Sequence, residues 1–146
     1  MHVLVQRVRQ ATVRIDSTIT GDIGQGLLVF VCAEPDDTHD HARRAVSKLL
    51  KLRIFADEAG KMNRSVQDID GALLIVSQFT LAADVWQGNR PSFTGAAPAA
   101  RGEALYDEVV RLAKQQHPHV ATGRFGADMQ ISLVNDGPVT IPFRVD

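Results

Sequence analysis

The most apolar stretch of the chain, Leu73-Leu74-Ile75-Val76, stops abruptly at Ser77-Gln78-Phe79-Thr80-Leu81. A run of this length and content reads as a buried strand over 72–79. The small polar side chains and backbone amides at its end then emerge at a rim, where site residues collect. A second segment, Asn135-Asp136-Gly137-Pro138-Val139-Thr140, closes another apolar run made by Ile131, Leu133 and Val134. It contains a Gly-Pro step, the kind of bond at which a cis peptide is cheap.

Around these two segments the pattern is mostly that of short strands. β-Branched content marks strands over 3–8, 11–15 and 27–33, with Asp16-Ser17 and Gly21-Asp22 as turn residues between them. Asp37 or Thr38 is placed to cap a helix whose apolar positions Ala42, Val46, Leu49 and Leu50 follow helical spacing, ending near Leu52. A short strand over 53–55 and a turn over 57–60 follow. Gly88, Pro91 and Gly95 make 84–97 an irregular loop. A second helix over 98–116 puts Leu105, Val109 and Leu112 on one face, with Pro118 beyond its end. Strands over 120–125, 130–134 and 139–145 complete the reading, Pro142 marking the last as an edge or a bulge. Many strands with two inserted helices predict a single-domain α/β protein over 1–146, a mainly antiparallel, barrel-like sheet flanked by two helices.

Charge and cysteine content narrow the function. The formal net charge of −1 argues against bulk electrostatic attachment to nucleic acid but permits brief contact with one RNA end. Arg43, Arg44, Lys48, Lys51 and Arg53 form a basic run, either a solvated face or an RNA-backbone footprint. The single cysteine, Cys32, lies among Leu27-Leu28-Val29-Phe30-Val31, so no disulfide forms within the chain and the thiol reads as an inert core group. Arg7 and Arg9 interrupt the start of the chain before any signal-peptide core, and no apolar run approaches the roughly 20 residues of a membrane span. A cytosolic protein is expected, with no membrane partner.

Familiar catalytic patterns are missing. Ser77 lies between Val76 and Gln78, without the flanking glycines of a nucleophile elbow. His39 with His41, and His117 with His119, are spaced i to i+2. On a strand or loop such a pair could share a metal, the alternative being surface histidines at helix ends. Gly21, Gly24 and Gly26 match no dinucleotide fingerprint, and no phosphate loop is present. Thr80 is the one hydroxyl in the first segment that could serve as a nucleophile, and no base adjoins it in sequence. Neither a metal nor an organic cofactor is expected.

The two segments resemble the defining motifs of the D-aminoacyl-tRNA deacylases, SQFT-L and N-x-G-P-x-T. Val5-Gln6-Arg7-Val8, Leu52-Arg53-Ile54-Phe55, Gly60-Lys61-Met62-Asn63, Arg90-Pro91-Ser92-Phe93 and residues 122–129 also look like that family, so the resemblance spans nearly the whole chain. It implies a small barrel with external helices. It also implies a homodimeric hydrolase that cleaves the ester of D-aminoacyl-tRNA, D-tyrosyl-tRNA for example, and of glycyl-tRNA mischarged on tRNA(Ala), while rejecting L-aminoacyl-tRNA. Ser77, Gln78, Phe79 and Thr80 would line the catalytic pocket, the Phe79 amide lying near the scissile ester. The chemistry would be assisted by the hydroxyl neighbouring the ester on the terminal ribose. On composition alone Gly-Pro reads as a turn, since only about 5 to 6% of such bonds are cis. In the family the step is cis and enters the other subunit's active site as a chiral wall, so Gly137 and Pro138 are expected to face the partner's aminoacyl-tRNA 3′ end, with Asn135 and Thr140 beside them. Arg7 is expected to hold this segment by its carbonyls, the plain alternative being a surface arginine. Met129 matches a residue contributed across the interface, its plain alternative being core. Trp86-Gln87 departs from the basic residues of this stretch of the family. The rival function is a non-catalytic RNA-end or small-ligand binding module on the same fold.

Overall fold

A computed structural model describes residues 1–146. In chain order the elements are β1 (His2–Ile15), β2 (Thr18–Ile23), β3 (Gly26–Cys32), α1 (His39–Lys51), β4 (Phe55–Ala56), β5 (Met62–Arg64), β6 (Ala72–Ser77), a 3-10 turn (Phe79–Ala82), α2 (Ala99–Gln116), β7 (Val120–Thr122) and β8 (Gln130–Arg144). Six strands form one sheet, and β4 and β5 form a small separate hairpin. The first half of β1 pairs antiparallel with β3 and its second half with β2, while β8 runs antiparallel along its opposite edge. The β3–β6 and β6–β7 pairs are parallel. The sheet curls until β2 meets β7, so closely that a Cβ on Gly21 would lie 2.6 Å from the Thr122 carbonyl oxygen. The result is the expected mainly antiparallel, barrel-like sheet with two flanking helices.

Alternation along the strands divides the core in two. Leu27, Val29 and Val31 of β3 and Leu73 and Ile75 of β6 face α1 and α2, joining Val46, Leu49, Leu105 and Val109. Leu28, Leu74 and Val76 point the other way, onto Val8, Ala11, Val13 and Ile23. Because β3 and β6 bury both faces, they read in sequence as unbroken apolar runs. Thr38 is the N-cap of α1, its amide donating to His41 Nδ1 at 3.1 Å, and Leu52 is the C-cap, as the spacing predicts. Asp37, the other candidate cap, is buried and accepts from the Glu34 amide at 2.7 Å instead.

Several boundaries differ from the sequence reading. The expected strands 3–8 and 11–15 are one strand, β1, and 130–134 and 139–145 are one strand, β8. What interrupts the alternation in both is a register irregularity between Gln6 and Gln10 where they pair, not a reversal of the chain. Gly21-Asp22 is no turn but lies inside β2, where only glycine permits the approach to β7. The strand expected over 120–125 ends at Thr122. Pro138 and Pro142 are tolerated because β8 pairs on one side only, so its prolines are on an edge strand. No helix is long and apolar enough to cross a membrane.

One ion cluster ties the ends of β3 and β8 together. The Glu34 carboxylate accepts from Arg144 Nε and Nη2, both at 2.9 Å, and from the Met1 amino group at 2.8 Å. The Arg144 fork holds the Glu34 carboxyl at about 2, below its usual 4.5. A folded-state pKa below the unfolded one gives stability that is complete above about 4.5 and lost as pH falls toward 2. Urea denaturation between pH 7 and pH 3 is expected to show Glu34→Gln with a shallower acid-side loss than the wild type; parallel profiles would contradict this role.

Candidate active site

The end of β6 opens onto a cavity. Ser77 pairs with Val31, and the Gln78 amide continues the ladder by donating to the Val31 carbonyl at 2.8 Å. The chain then turns, with the Leu81 amide donating to Gln78 O at 3.2 Å and the Ala83 amide to Thr80 O at 3.1 Å. A hollow of about 420 Å³ lies against this turn, walled by Ser77, Gln78, Phe79, Phe93, Tyr106 and Phe125 among others. Phe79 is 57% exposed and meets Phe93 edge-on at 5.1 Å between ring centroids. As the first residue of the 3-10 turn, Phe79 has an amide with no acceptor inside that turn.

None of the titratable groups on the hollow is poised for acid–base work at neutral pH. Burial pushes the Cys32 thiol up, and its Sγ lies 3.4 Å from the Phe79 carbonyl oxygen. Burial also pushes the Tyr106 phenol up to about 12, and its hydroxyl donates to the Ile75 carbonyl at 2.9 Å. Thr80 Oγ1 accepts from the Gln78 carboxamide nitrogen at 2.6 Å. A carboxamide nitrogen cannot remove the hydroxyl proton, so this contact orients Thr80 without activating it. What the hollow offers is shape, an apolar wall and, at its edge, the Phe79 amide.

The second segment lies elsewhere. Asn135, Gly137, Pro138 and Thr140 are exposed along β8. Arg7 donates from Nε to the Asp136 carbonyl at 2.9 Å and from Nη1 to the Ile54 carbonyl at 2.6 Å, clamping the segment to the rest of the fold. Asp136, which sequence reasoning passed over, sets its carboxylate 3.6 Å from Arg7 and 3.7 Å from Arg9. Its signal was the acid within a turn-like segment matched by two arginines on a candidate partner strand. Gly137-Pro138 is cis, and Gly137 has φ 128°. That φ favours glycine, and a Cβ there would also sit tightly, 3.1 Å from Arg7 Nη2 and 3.0 Å from the Val139 side chain. Met129 is half-buried, packed against the core of its own chain with Sδ close to Gly123.

Within one protomer the two segments do not meet. Ser77 shares a row with Val31 and Val3, whereas Arg7, which holds Asp136, shares a row with Leu27 and Leu73. Four residues along the strands is about 13 Å, and the three strand spacings from β8 across β1 and β3 to β6 add about 14 Å sideways. The hollow is accordingly lined by none of Arg7, Met129, Asn135, Gly137, Pro138 or Thr140.

The remaining candidates take structural places. His41 caps α1, His39 pairs with Glu108, and His119 meets Asp70 at 3.2 Å. His117 is buried, contrary to the surface reading, with Nε2 2.6 Å from the Gly71 carbonyl oxygen. No group of three or more metal-ligating side chains forms. Arg43, Arg44, Lys48 and Lys51 line a shallow groove between α1 and the end of β8. Tyr106 and Phe125 are wall residues that sequence reasoning missed, since neither lies in a motif and their meeting depends on how α2 packs against the sheet.

A model of the family described as D-Tyr-tRNA(Tyr) deacylase matches residues 4–144. The chain is 64% identical to a D-aminoacyl-tRNA deacylase of Delftia acidovorans, covering 97% of this chain and 94% of that one. It is 61% identical to one of Azoarcus sp., covering 99% and 96%. Among solved structures, a c-Myc DNA unwinding element binding protein superposes with TM-score 0.95 at 37% identity, over 100% of this chain and 99% of that one. A probable eukaryotic D-amino acid tRNA deacylase superposes with TM-score 0.88 at 19% identity, over 99% and 98%, which shows a shared fold.

The Arg7 clamp is directly testable. Replacing it with alanine removes donors from two carbonyls, and charge-assisted bonds of this kind contribute about 1.5–3 kcal/mol. Amide hydrogen exchange of Arg7→Ala is expected to accelerate over 135–139 while the centres of β3 and β6 keep wild-type protection. Unchanged exchange over 135–139 would show that the segment is held by something else.

Proposed function

The chain belongs to the D-aminoacyl-tRNA deacylase family, and from that premise we propose how its two motif segments act on the ester of a D-aminoacyl-tRNA. The observation that carries the reading is a walled, apolar hollow bordered by a free main-chain amide and by no ionisable group ready at neutral pH. A site of that kind can position and polarise an ester but must take its chemistry from the substrate. The terminal adenosine enters the hollow, its flat base against Phe93, Tyr106 and Phe125, and the ester carbonyl comes to rest by the Phe79 amide. Water adds to the carbonyl carbon, oriented by the ribose hydroxyl next to the ester. The amide donates to the developing oxyanion, which is where a fixed dipole lowers the barrier most. The carbon–oxygen bond to the ribose then breaks and the ribose oxygen takes the proton. Ser77, Gln78 and Thr80 shape the floor and hold the amide in place.

Selectivity comes from the second segment of a second copy in a homodimer. Since Gly137 and Pro138 stand exposed about four residues along the strands and three strands across from the hollow's own wall, a symmetric partner is the means by which they reach it. Their main-chain atoms, fixed through Arg7 and Asp136, make a wall no rotamer change can relieve. Asn135 and Thr140 flank it, and Met129 is contributed across the same interface. An L-side chain strikes this wall, a D-side chain points to solvent, and glycine has nothing to strike, so glycyl-tRNA mischarged on tRNA(Ala) is a substrate too. The enzyme works in the cytosol on the 3′ end of aminoacyl-tRNA. The same lack of acid and base also favours a rival, a non-catalytic module that binds RNA ends.

One set of deacylation assays decides between them. D-Tyrosyl-tRNA and glycyl-tRNA are expected to be hydrolysed while L-tyrosyl-tRNA survives, a thousandfold discrimination needing only about 4 kcal/mol of differential transition-state energy. Thr80→Ala is expected to retain substantial turnover, and replacing the neighbouring ribose hydroxyl by hydrogen to cripple it with binding preserved. Release of D- and L-tyrosine at similar rates would remove the chiral wall; an acyl-enzyme on Thr80 would remove substrate assistance; no release at all would leave the binding module.

A further inference from the structure

The one tryptophan of the chain is its most exposed large apolar residue, Trp86 at 92%, beside Val85 at 54%. A lone exposed apolar side chain needs no explanation when it sits on a loose loop, but this loop is pinned. Asp84 and Ser92 exchange both backbone hydrogen bonds, at 2.8 and 2.9 Å. The Asp84 carboxylate then accepts from the Trp86 amide at 2.9 Å and from the Gln87 carboxamide at 3.2 Å. The turn therefore satisfies itself and leaves the indole outside. Its base is continuous with the candidate active site, because Ser92 leads directly into Phe93, which meets Phe79 at the wall of the hollow. On the same turn Arg90 is exposed and belongs to none of the chain's arginine ion pairs.

A flat aromatic face and an unpaired guanidinium on one rigid turn are the two elements that single-stranded nucleic acid requires, one for a base and one for a phosphate. Bulk charge contributes little attraction in a chain of net charge −1, so a stacked base and one local guanidinium are the sources of affinity at this rim. We propose that Trp86 stacks on a base of the unpaired RNA 3′ end, the nucleotide preceding the terminal adenosine, with Arg90 on the phosphate that joins them. This deepens the deacylase reading and rests on it, since the terminal nucleoside must occupy the hollow for its neighbour to fall on the turn.

Because the chain has a single tryptophan, its emission reports on this residue alone. Titration with uncharged tRNA is expected to quench it. Trp86→Ala is expected to raise KM for D-aminoacyl-tRNA about tenfold with kcat nearly unchanged, in line with the energy of one base–aromatic stack. Trp86→Phe should recover most of that loss, and D-aminoacyl-adenosine, which lacks the preceding nucleotide, should be cleaved alike by all three proteins. Unaltered emission at saturating tRNA, an unchanged KM in Trp86→Ala, or an equal loss on D-aminoacyl-adenosine would overturn the proposal. So would dissociation of the dimer by Trp86→Ala with RNA affinity intact, which would assign the indole to a subunit contact. A wild type that quenches with tRNA but hydrolyses no D-aminoacyl ester would instead refute the deacylase reading and keep the stack.

Discussion

The parallel seam between β3 and β6 is the constraint on which the rest of the molecule depends. It starts where Gly26 crosses Ala72, at a separation that leaves no room for a side chain: a Cβ on Gly26 would lie 1.9 Å from the Ala72 carbonyl oxygen. It ends where Val31 meets Ser77. Between those points each strand sends alternate side chains into two separate cores, so neither can slip by one residue without exchanging its entire buried set. The first residue free of that double burial is at the end of β6. The Ser77–Thr80 segment is therefore placed at the rim by the register of the seam.

A second consequence concerns charge. The hollow borders the helix-side core, and the groups it exposes to a ligand are held in their protonated forms by the same burial that stabilises the fold. No arginine lines it: Arg7 clamps the Gly137 segment, and Arg144 joins β8 to the end of β3 through Glu34. The chain thus separates the tasks of building a shaped apolar site and of fixing a rigid backbone segment, and it places the two about four residues apart along the strands and three strands apart across them.

How much of this was legible depended on whether the deciding interaction was local. The helices α1 and α2 were, since capping and apolar spacing are contained in a few turns, and so were β3 and β6, whose double burial writes an unbroken apolar run. The single long strands β1 and β8 were not, because their shared irregularity near Gln6 and Gln10 resembles two chain ends when read one strand at a time. β2 was lost for a similar reason: Gly21 looks like a turn until β7 is known to pass beside it. Ser77 to Thr80 and Gly137-Pro138 stood out as segments, yet their separation within one protomer follows only from strand register. Tyr106 lies beside Leu105 on the helix and carries no local pattern of its own; its place on the hollow's wall follows only from the packing of α2 on β6, where its hydroxyl reaches the Ile75 carbonyl.

On the proposed reading, one functional site is assembled from two copies of the chain. Its most direct measurement uses two variants that each break one half. Phe79→Pro deletes the amide at the first position of a turn, where proline is tolerated, and Gly137→Ala puts a Cβ against Arg7 and Val139 at a positive φ. Each alone is expected to lose D-tyrosyl-tRNA hydrolysis. After subunit exchange in equal mixture, half the dimers are hybrids with one intact pocket of two, so about a quarter of wild-type activity should return. Verified exchange with no recovery would contradict the account and return the Gly137 segment to its own subunit.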